Sequence, residues 1–519
     1  MSDAPTTGAA FAAAPARGTS PEVTRQMCVS AYLGSTFRAS VIALLVDGRE
    51  RFVAPSLGFD AVPVVAHCLR ARELERKYAA RALLAWVLGA LTGVLILFLL
   101  VSAVSSFARG EGAGLQTVLL FLAAAAALGA CAAPHVVGQD RREDTVLFLQ
   151  NAMSFLWPPM SAVAHREEVK RILADELSET SFTGIVPDGV PEAWSPLLYR
   201  IGREQYSQVV VYDPDVPFAG AGTALRTQVI AQELVPDKKR GKEPEPLTER
   251  RILELVRPRL EALAEPPEAH SLDRLRKLEL CECVFLPGPL PFGFDRDDAP
   301  LGNAGDRGVA EHLRRSTGEG GELRRHFLRI RVGGWEEQVV LTFFVRVHAQ
   351  GGVFLLEISP YLLSPLREGF RRDSRTVEKL VAGKDVDREI SSRLATYSRF
   401  GALLRPVPEE AEEEGFDPDS WAFPPWTGIR ELSASGTLSD FQTTDVVRYV
   451  RTILSRVNRG VEEALREAGY ATEDFKQQTI NMGAGAVFVD GSMSGGALAT
   501  APGASARDNS VNSDPGGKR

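Results

Sequence analysis

The chain has 519 residues, enough for two or three domains, and 45% of them are hydrophobic. Its 59 Lys and Arg against 67 Asp and Glu give a net charge of −8, without the basic domain or stripe that nucleic-acid binding requires. Five scattered cysteines, Cys28, Cys68, Cys131, Cys281 and Cys283, exclude a disulfide framework and fit a reducing cytoplasm.

Residues 1–22 are rich in Ala, Thr, Pro, Gly and Ser and are expected to be a disordered lead. Residues 23–81 are expected to form a small cytoplasmic α/β segment that docks on the larger domain. In it Met27 to Leu33 reads as a strand, Phe37 to Val46 as a helix, and Val62 to Arg81 as an amphipathic helix.

Two charge-free apolar runs follow, Ala82 to Phe107 and Leu115 to Val137. Each reaches the roughly 20 apolar residues a helix needs to cross a bilayer, and together they predict a transmembrane hairpin. Arg70, Arg72, Arg76, Lys77 and Arg81 before the first run, with Arg141 and Arg142 after the second, place both termini on the cytoplasmic side of the cell membrane, with the lipid bilayer as partner. Ala85, Gly89 and Gly93 lie on one stripe of the first run, a helix-packing surface that also suits homo-oligomerisation. The 144–164 segment carries Gln150, Asn151 and Pro158-Pro159 and reads as interfacial rather than as a third span. Lysine is scarce while arginine, alanine and glycine abound. In this composition and two-span layout the chain resembles the uncharacterised two-span integral membrane proteins of actinobacteria, a resemblance that implies membrane location and carries no catalytic residues.

The fold expected overall is a membrane-anchored α+β protein, a two-helix transmembrane hairpin joined to a large mixed α/β cytoplasmic domain built on antiparallel strands. Residues 165–405 form that domain. After a helix from His165 to Leu177, short runs at Gln208 to Tyr212, Arg226 to Leu234, Leu278 to Leu286, His326 to Val332, Gln338 to Val347 and Gly352 to Ile358 predict strands. Gly333-Gly334 and Gln350-Gly351-Gly352 are turns that make the last three a meander. Helices are expected at Asp373 to Leu380 and Val386 to Phe400, then an acidic proline-bearing linker over 406–425. In the helical segment 426–478, Ser439 and Gln442 form a capping box before apolar residues spaced by three and four, and Gly469 stops the helix. The 479–519 tail is rich in Gly, Ala and Ser and is expected to be flexible, with strand addition to a protein partner as the alternative through Ala486 to Val489.

No catalytic constellation is present in the sequence, and no catalytic, metal-binding or cofactor-binding residue is assigned. One glycine-rich loop after a strand, with Asp213, Asp215, Gly220 and Gly222, is a candidate ligand or partner loop, although it lacks the Gly-Lys-Ser/Thr ending of a phosphate loop. Cys281 and Cys283 alternate onto one face of a strand. The function expected is a membrane-anchored binding, scaffold or sensing module. A membrane-tethered enzyme and a channel or transporter component are the alternatives. An enzyme would require a pocket of convergent ionisable groups with perturbed pKa values.

Overall fold

The computed structural model describes residues 21–109, 159–238, 243–264, 275, 277–288, 307–317, 324–395 and 423–483. The chain divides into two compact units. One comprises Met1–Cys68, Leu177–Glu378 and Glu410–Arg519, the other Leu69–Glu176 and Lys379–Glu409.

The first unit opens with two helices, α1 (Pro21–Leu33) and α2 (Ser35–Ile42), the latter running into a π-turn at Ala43–Asp47. The Met27 to Leu33 segment is therefore helical, not a strand. It is buried on every side, so no polar face marks a helical period in its sequence. Arg25, 2% exposed, fixes α1 by donating to Ser374 Oγ at 2.6 Å and to the Leu177 carbonyl at 3.1 Å.

The expected transmembrane hairpin is corrected here. Among the described residues no single helix is long and apolar enough to cross a membrane. The first apolar run does not stand as a helix of its own. It is the distal part of α3, one continuous 48-residue helix over Ala61–Ala108 whose proximal part is buried and then heavily charged. The bent pair Pro21–Leu33 with Ser35–Asp47 turns through 104°, and α1 within it is almost wholly buried. The lead up to residue 20, the second run, the 144–164 segment up to Pro158, the linker up to residue 422 and the tail beyond Gly483 lie outside the described residues.

A seven-stranded sheet forms the centre of the first unit. Helix α5 (Ser195–Glu204) leads into β1 (Val209–Tyr212), which is followed by β2 (Thr223–Ala224), β3 (Gln228–Glu233) and helix α6 (Glu249–Glu261). Then come β4 (Leu278–Pro287), helix α7 (Arg307–Ser316), β5 (Arg325–Gly334), β6 (Val339–Gln350) and β7 (Val353–Leu363). Strand order is β1-β4-β5-β6-β7-β2, with β3 also pairing β7. The β1–β4 pair is parallel and the others are antiparallel. Helices α8 (Glu368–Val381), α10 (Ile429–Ser433), α11 (Asp440–Glu467) and α12 (Glu473–Gly483) follow, α8 ending in the second unit. The tail's first residues, Thr479 to Gly483, thus belong to a helix.

Alternation along the strands gives the sheet two faces. On one, Leu328, Ile330, Phe343, Val345, Phe354 and Leu356 join Val256 of α6 and Val450, Ile453 and Val457 of α11 in a single core. Ser439 caps α11 as its sequence predicts: its Oγ accepts from Gln442 N at 3.3 Å, and Gln442 Oε1 accepts from Ser439 N at 2.9 Å. Gly460 lets α11 touch α6, since a Cβ there would stand 2.9 Å from Val256 Cα. On the other face, Phe218 stacks on Phe344 at 4.3 Å and meets Phe285 and Phe327 edge-on at 5.4 Å.

In the second unit α3 packs against α4, the helix Pro159–Asp175. Arg70 donates to Glu176 at 2.9 Å, Tyr78 donates to Glu168, and Tyr78 stacks on His165 at 5.1 Å. Asp387, opening α9 (Asp387–Ala395), accepts from Lys170 at 2.5 Å.

Candidate functional site

Helix α6 begins where Thr248 Oγ1 accepts from Arg251 N, which places Glu249 in its first turn. Ile252, Leu253, Val256 and Leu260 recur at three and four residues and are buried in the core, leaving Arg250, Glu254 and Arg257 on another face. Those three, with Glu282 of β4 and Ala310, Leu313, Arg314 and Thr317 of α7 and its end, line a cleft of about 350 Å³. The residue types in it are guanidinium and carboxylate around an apolar strip.

His326 lies at the inner end of this charged group and is 2% exposed. It faces two carboxylates: Nδ1 is 3.2 Å from Glu249 Oε1 and Nε2 is 3.4 Å from Glu282 Oε2. Glu282 in turn accepts from Arg257 at 2.6 Å. Burial pulls the imidazole pKa down, but the Glu249 and Glu282 carboxylates overcome it and push it up to about 9. The bond from His326 holds the Glu282 carboxyl down at about 2 against the opposing effect of burial, with Arg257 adding to the shift. Both charges are therefore fixed across the neutral range. His312 on α7 moves the other way: burial, then Arg324 and Arg315, lower its pKa and favour the neutral ring.

The sign of the linkage gives an expected pH profile. The raised His326 pKa contributes stability that is complete below about pH 6.5 and is lost as pH rises through about 9, a loss on the order of 3 kcal/mol. The depressed Glu282 pKa contributes above about pH 4.3 and is lost as pH falls toward about 2. Denaturant midpoints followed from pH 5 to 10 should fall across the alkaline window, and His326→Gln should flatten that fall. An unchanged slope in the variant would remove His326 as its source.

The glycine-rich loop takes a different place. Asp213 Oδ1 accepts from Asp215 N at 2.9 Å in a local turn, and Asp215 is exposed. Gly220 and Gly222 have φ of +92° and +96°, and Cβ atoms there would stand 2.8 Å from Pro55 O and 2.3 Å from Leu362 O. Both glycines thus serve close backbone packing, and Gly222 N also donates to Glu431 Oε1 at 2.7 Å. Of the small-residue stripe, the side-chain positions of Ala85 and Gly89 lie outside the described residues, and a Cβ at Gly93 would meet nothing within 4 Å. His312, His326 and His348 each keep separate partners, His348 bonding Gln350 at 3.0 Å. Among the described residues no group of three or more His, Cys, Asp and Glu is placed to hold a metal ion.

Sequence reasoning left out α6 and α7, hence the cleft. The signals for α6 were present: Thr248 as cap and Ile252, Leu253, Val256 and Leu260 at helical spacing. Juxtaposition of Glu249, Glu282 and His326 depends on strand register, which pairs Val284 with His326, and no local pattern encodes it.

A mixed, mainly antiparallel sheet with helices packed on it and a charged cleft beside it defines an α+β domain. The chain belongs to the AbeC-like domain family, whose model matches residues 227–497 and so takes in β3 to β7, α6, α7, α10 to α12 and every residue of the cleft. No curated protein and no solved structure matches it.

Proposed function

We propose that this protein is a membrane-associated binding or scaffold module whose cleft between α6 and α7 takes an acidic, partly apolar polypeptide segment of a partner. The observation that carries this reading is the fixed charge of the site. Proton transfer at neutral pH needs a group poised near 7, whereas His326 and Glu282 stay charged there. The cleft offers what recognition needs instead: three guanidinium groups, Arg250, Arg257 and Arg314, already paired with Glu254, Glu282 and Glu311 and open to exchange those partners for a ligand carboxylate, set around the apolar Leu253, Ala310 and Leu313.

Work at the cytoplasmic face of the membrane is supported by the distal part of α3. Val87, Leu91, Val94, Leu97, Phe98, Val101 and Val104 stand between 49% and 68% exposed, beyond the cluster from Arg70 to Arg81. An array of peptides pairing Asp or Glu with Leu or Phe, probed with the full chain, tests the cleft. Arg250→Gln with Arg314→Gln, both at surface side chains, should weaken the selected peptides by ~10-fold or more. Equal binding by the variant would overturn the reading. In the same preparation the chain should float with vesicles of mixed neutral and anionic lipid, and sedimentation without them would overturn the membrane association.

A further inference from the structure

We propose that Cys281 and Cys283 form a peroxide-responsive dithiol, with Cys281 as the attacking sulfur and Cys283 as the resolving thiol. Both lie on one face of β4, and Cys283 Sγ donates to Cys281 Sγ at 3.9 Å. Strand register sets Arg329 of β5 directly opposite Cys281 and Phe327 opposite Cys283. Cys281 is half-buried, whereas Cys28, Cys68 and Cys283 are 0% exposed, so among the described cysteines it alone reaches the surface.

The groups around Cys281 favour its thiolate. The bond from Cys283 lowers its pKa most; burial opposes this, Arg329 and the Gln208 side chain add to the lowering, and Glu282 from the other face of β4 works against it, leaving the thiol below its usual range. Cys283 moves up, through that same bond and through burial. Arg329 answers the pair: burial pulls its pKa down, and the two sulfurs with Glu279 raise it overall. Reactive cysteines occupy this kind of electropositive, partly exposed setting, and structural ones do not.

The chemistry closes on hydrogen peroxide as oxidant. The Cys281 thiolate attacks one peroxide oxygen, the O–O bond breaks, and a sulfenic acid forms while the departing hydroxide takes a solvent proton to become water. Cys283 then gives up its proton as its sulfur attacks Cys281 Sγ. The S–O bond breaks, the hydroxide leaves with that proton as a second water, and a disulfide remains. Two sulfurs have together lost two electrons, and one peroxide has gained them. Residues two apart on an extended strand have Cα atoms about 6.6 Å apart, near the upper end of what a disulfide spans. Bridging therefore puckers β4 between its neighbours β1 and β5, and thiols reduce such a strained bond readily.

The test uses the full chain treated with graded peroxide, then dimedone or iodoacetamide labelling and peptide mass spectrometry. In Cys283→Ser, dimedone should mark Cys281. In the parent, the peptide holding both cysteines should lose two hydrogens and regain them with dithiothreitol. Iodoacetamide should modify Cys281 at pH 7 at least ~10-fold faster than Cys28 or Cys68, with a rate midpoint below the ordinary thiol value of about 8.5 that rises in Arg329→Gln. The parent's own pH profile carries the test if that variant fails to fold. A midpoint near 9, or no dimedone adduct at peroxide doses that oxidise free glutathione, would overturn the proposal. A stable sulfenic acid in the parent, with no bridged peptide, would overturn the resolving role of Cys283.

Discussion

Replacing Glu337 by alanine is expected to destabilise the first unit by about 3–5 kcal/mol, the cost of removing one partner of a buried ion pair. Glu337 is 1% exposed and Arg331 3%. The Glu337 carboxylate accepts from Arg331 Nη2 and lies 3.5 Å from Lys277 Nζ, and Arg331 also reaches Glu279 at 3.1 Å. This pair does more than balance charge, because Trp335, Glu336 and Glu337 all have positive φ, between 53° and 67°. Three successive left-handed non-glycine residues are costly, at roughly 1–2 kcal/mol each. The β5–β6 turn persists because Glu337 is held by Arg331 and because Arg430, 0% exposed, donates to the carbonyls of Gln338 at 2.9 Å and Ser364 at 3.3 Å. Urea denaturation checks the effect. Arg331→Met combined with Glu337→Met should lose much less than Glu337→Ala, since apolar groups of similar volume leave no buried charge. A loss below about 1 kcal/mol in the single variant would show the pair to be replaceable by solvent.

The turn shows what sequence could and could not supply. Gly333-Gly334 marked a reversal, and the strands on either side pair antiparallel with Gly334 opposite Val339. The conformation of the three residues after it is set by Arg331 and Arg430, the latter more than ninety positions away in the chain, so no local pattern carries it. The same division runs through the molecule. Ser439 with Gln442 announced α11 because a capping box is a local arrangement, and Gln350-Gly351-Gly352 announced the β6–β7 turn for the same reason. Helix α1 was misread because its surroundings bury it on all sides. Cys281 and Cys283 share a face by strand alternation alone, whereas Arg329 opposite Cys281, like Glu249 beside His326, follows from long-range register. The apolar run from Ala82 is legible as an apolar run, but its continuity with the charged and buried half of α3 is a property of the whole helix.

Gly222→Ala is expected to be among the most damaging single substitutions in the chain. At φ +96° an alanine is strained whatever the space, by about 1–3 kcal/mol. Its Cβ would also stand 2.3 Å from Leu362 O and 2.7 Å from Leu362 C, backbone atoms of β7 that belong to the sheet and cannot rotate away. To relieve the overlap, β2 must leave β7 at the Thr223–Leu362 register, and the bond from Gly222 N to Glu431 is lost with it. A combined loss above about 4 kcal/mol is expected, which few surface-loop substitutions approach. Gly351→Ala provides the matched comparison. Its φ is +62°, also positive, but nothing lies within 4 Å of an added Cβ, so only the conformational cost of roughly 1 kcal/mol applies. Denaturation midpoints of the two variants against the parent separate the readings. A large loss at Gly222 with a small one at Gly351 marks Gly222 as a packing glycine, as the contact with Leu362 requires. Equal, small losses at both would show that β7 yields at this contact and that Gly222 is not held there by packing.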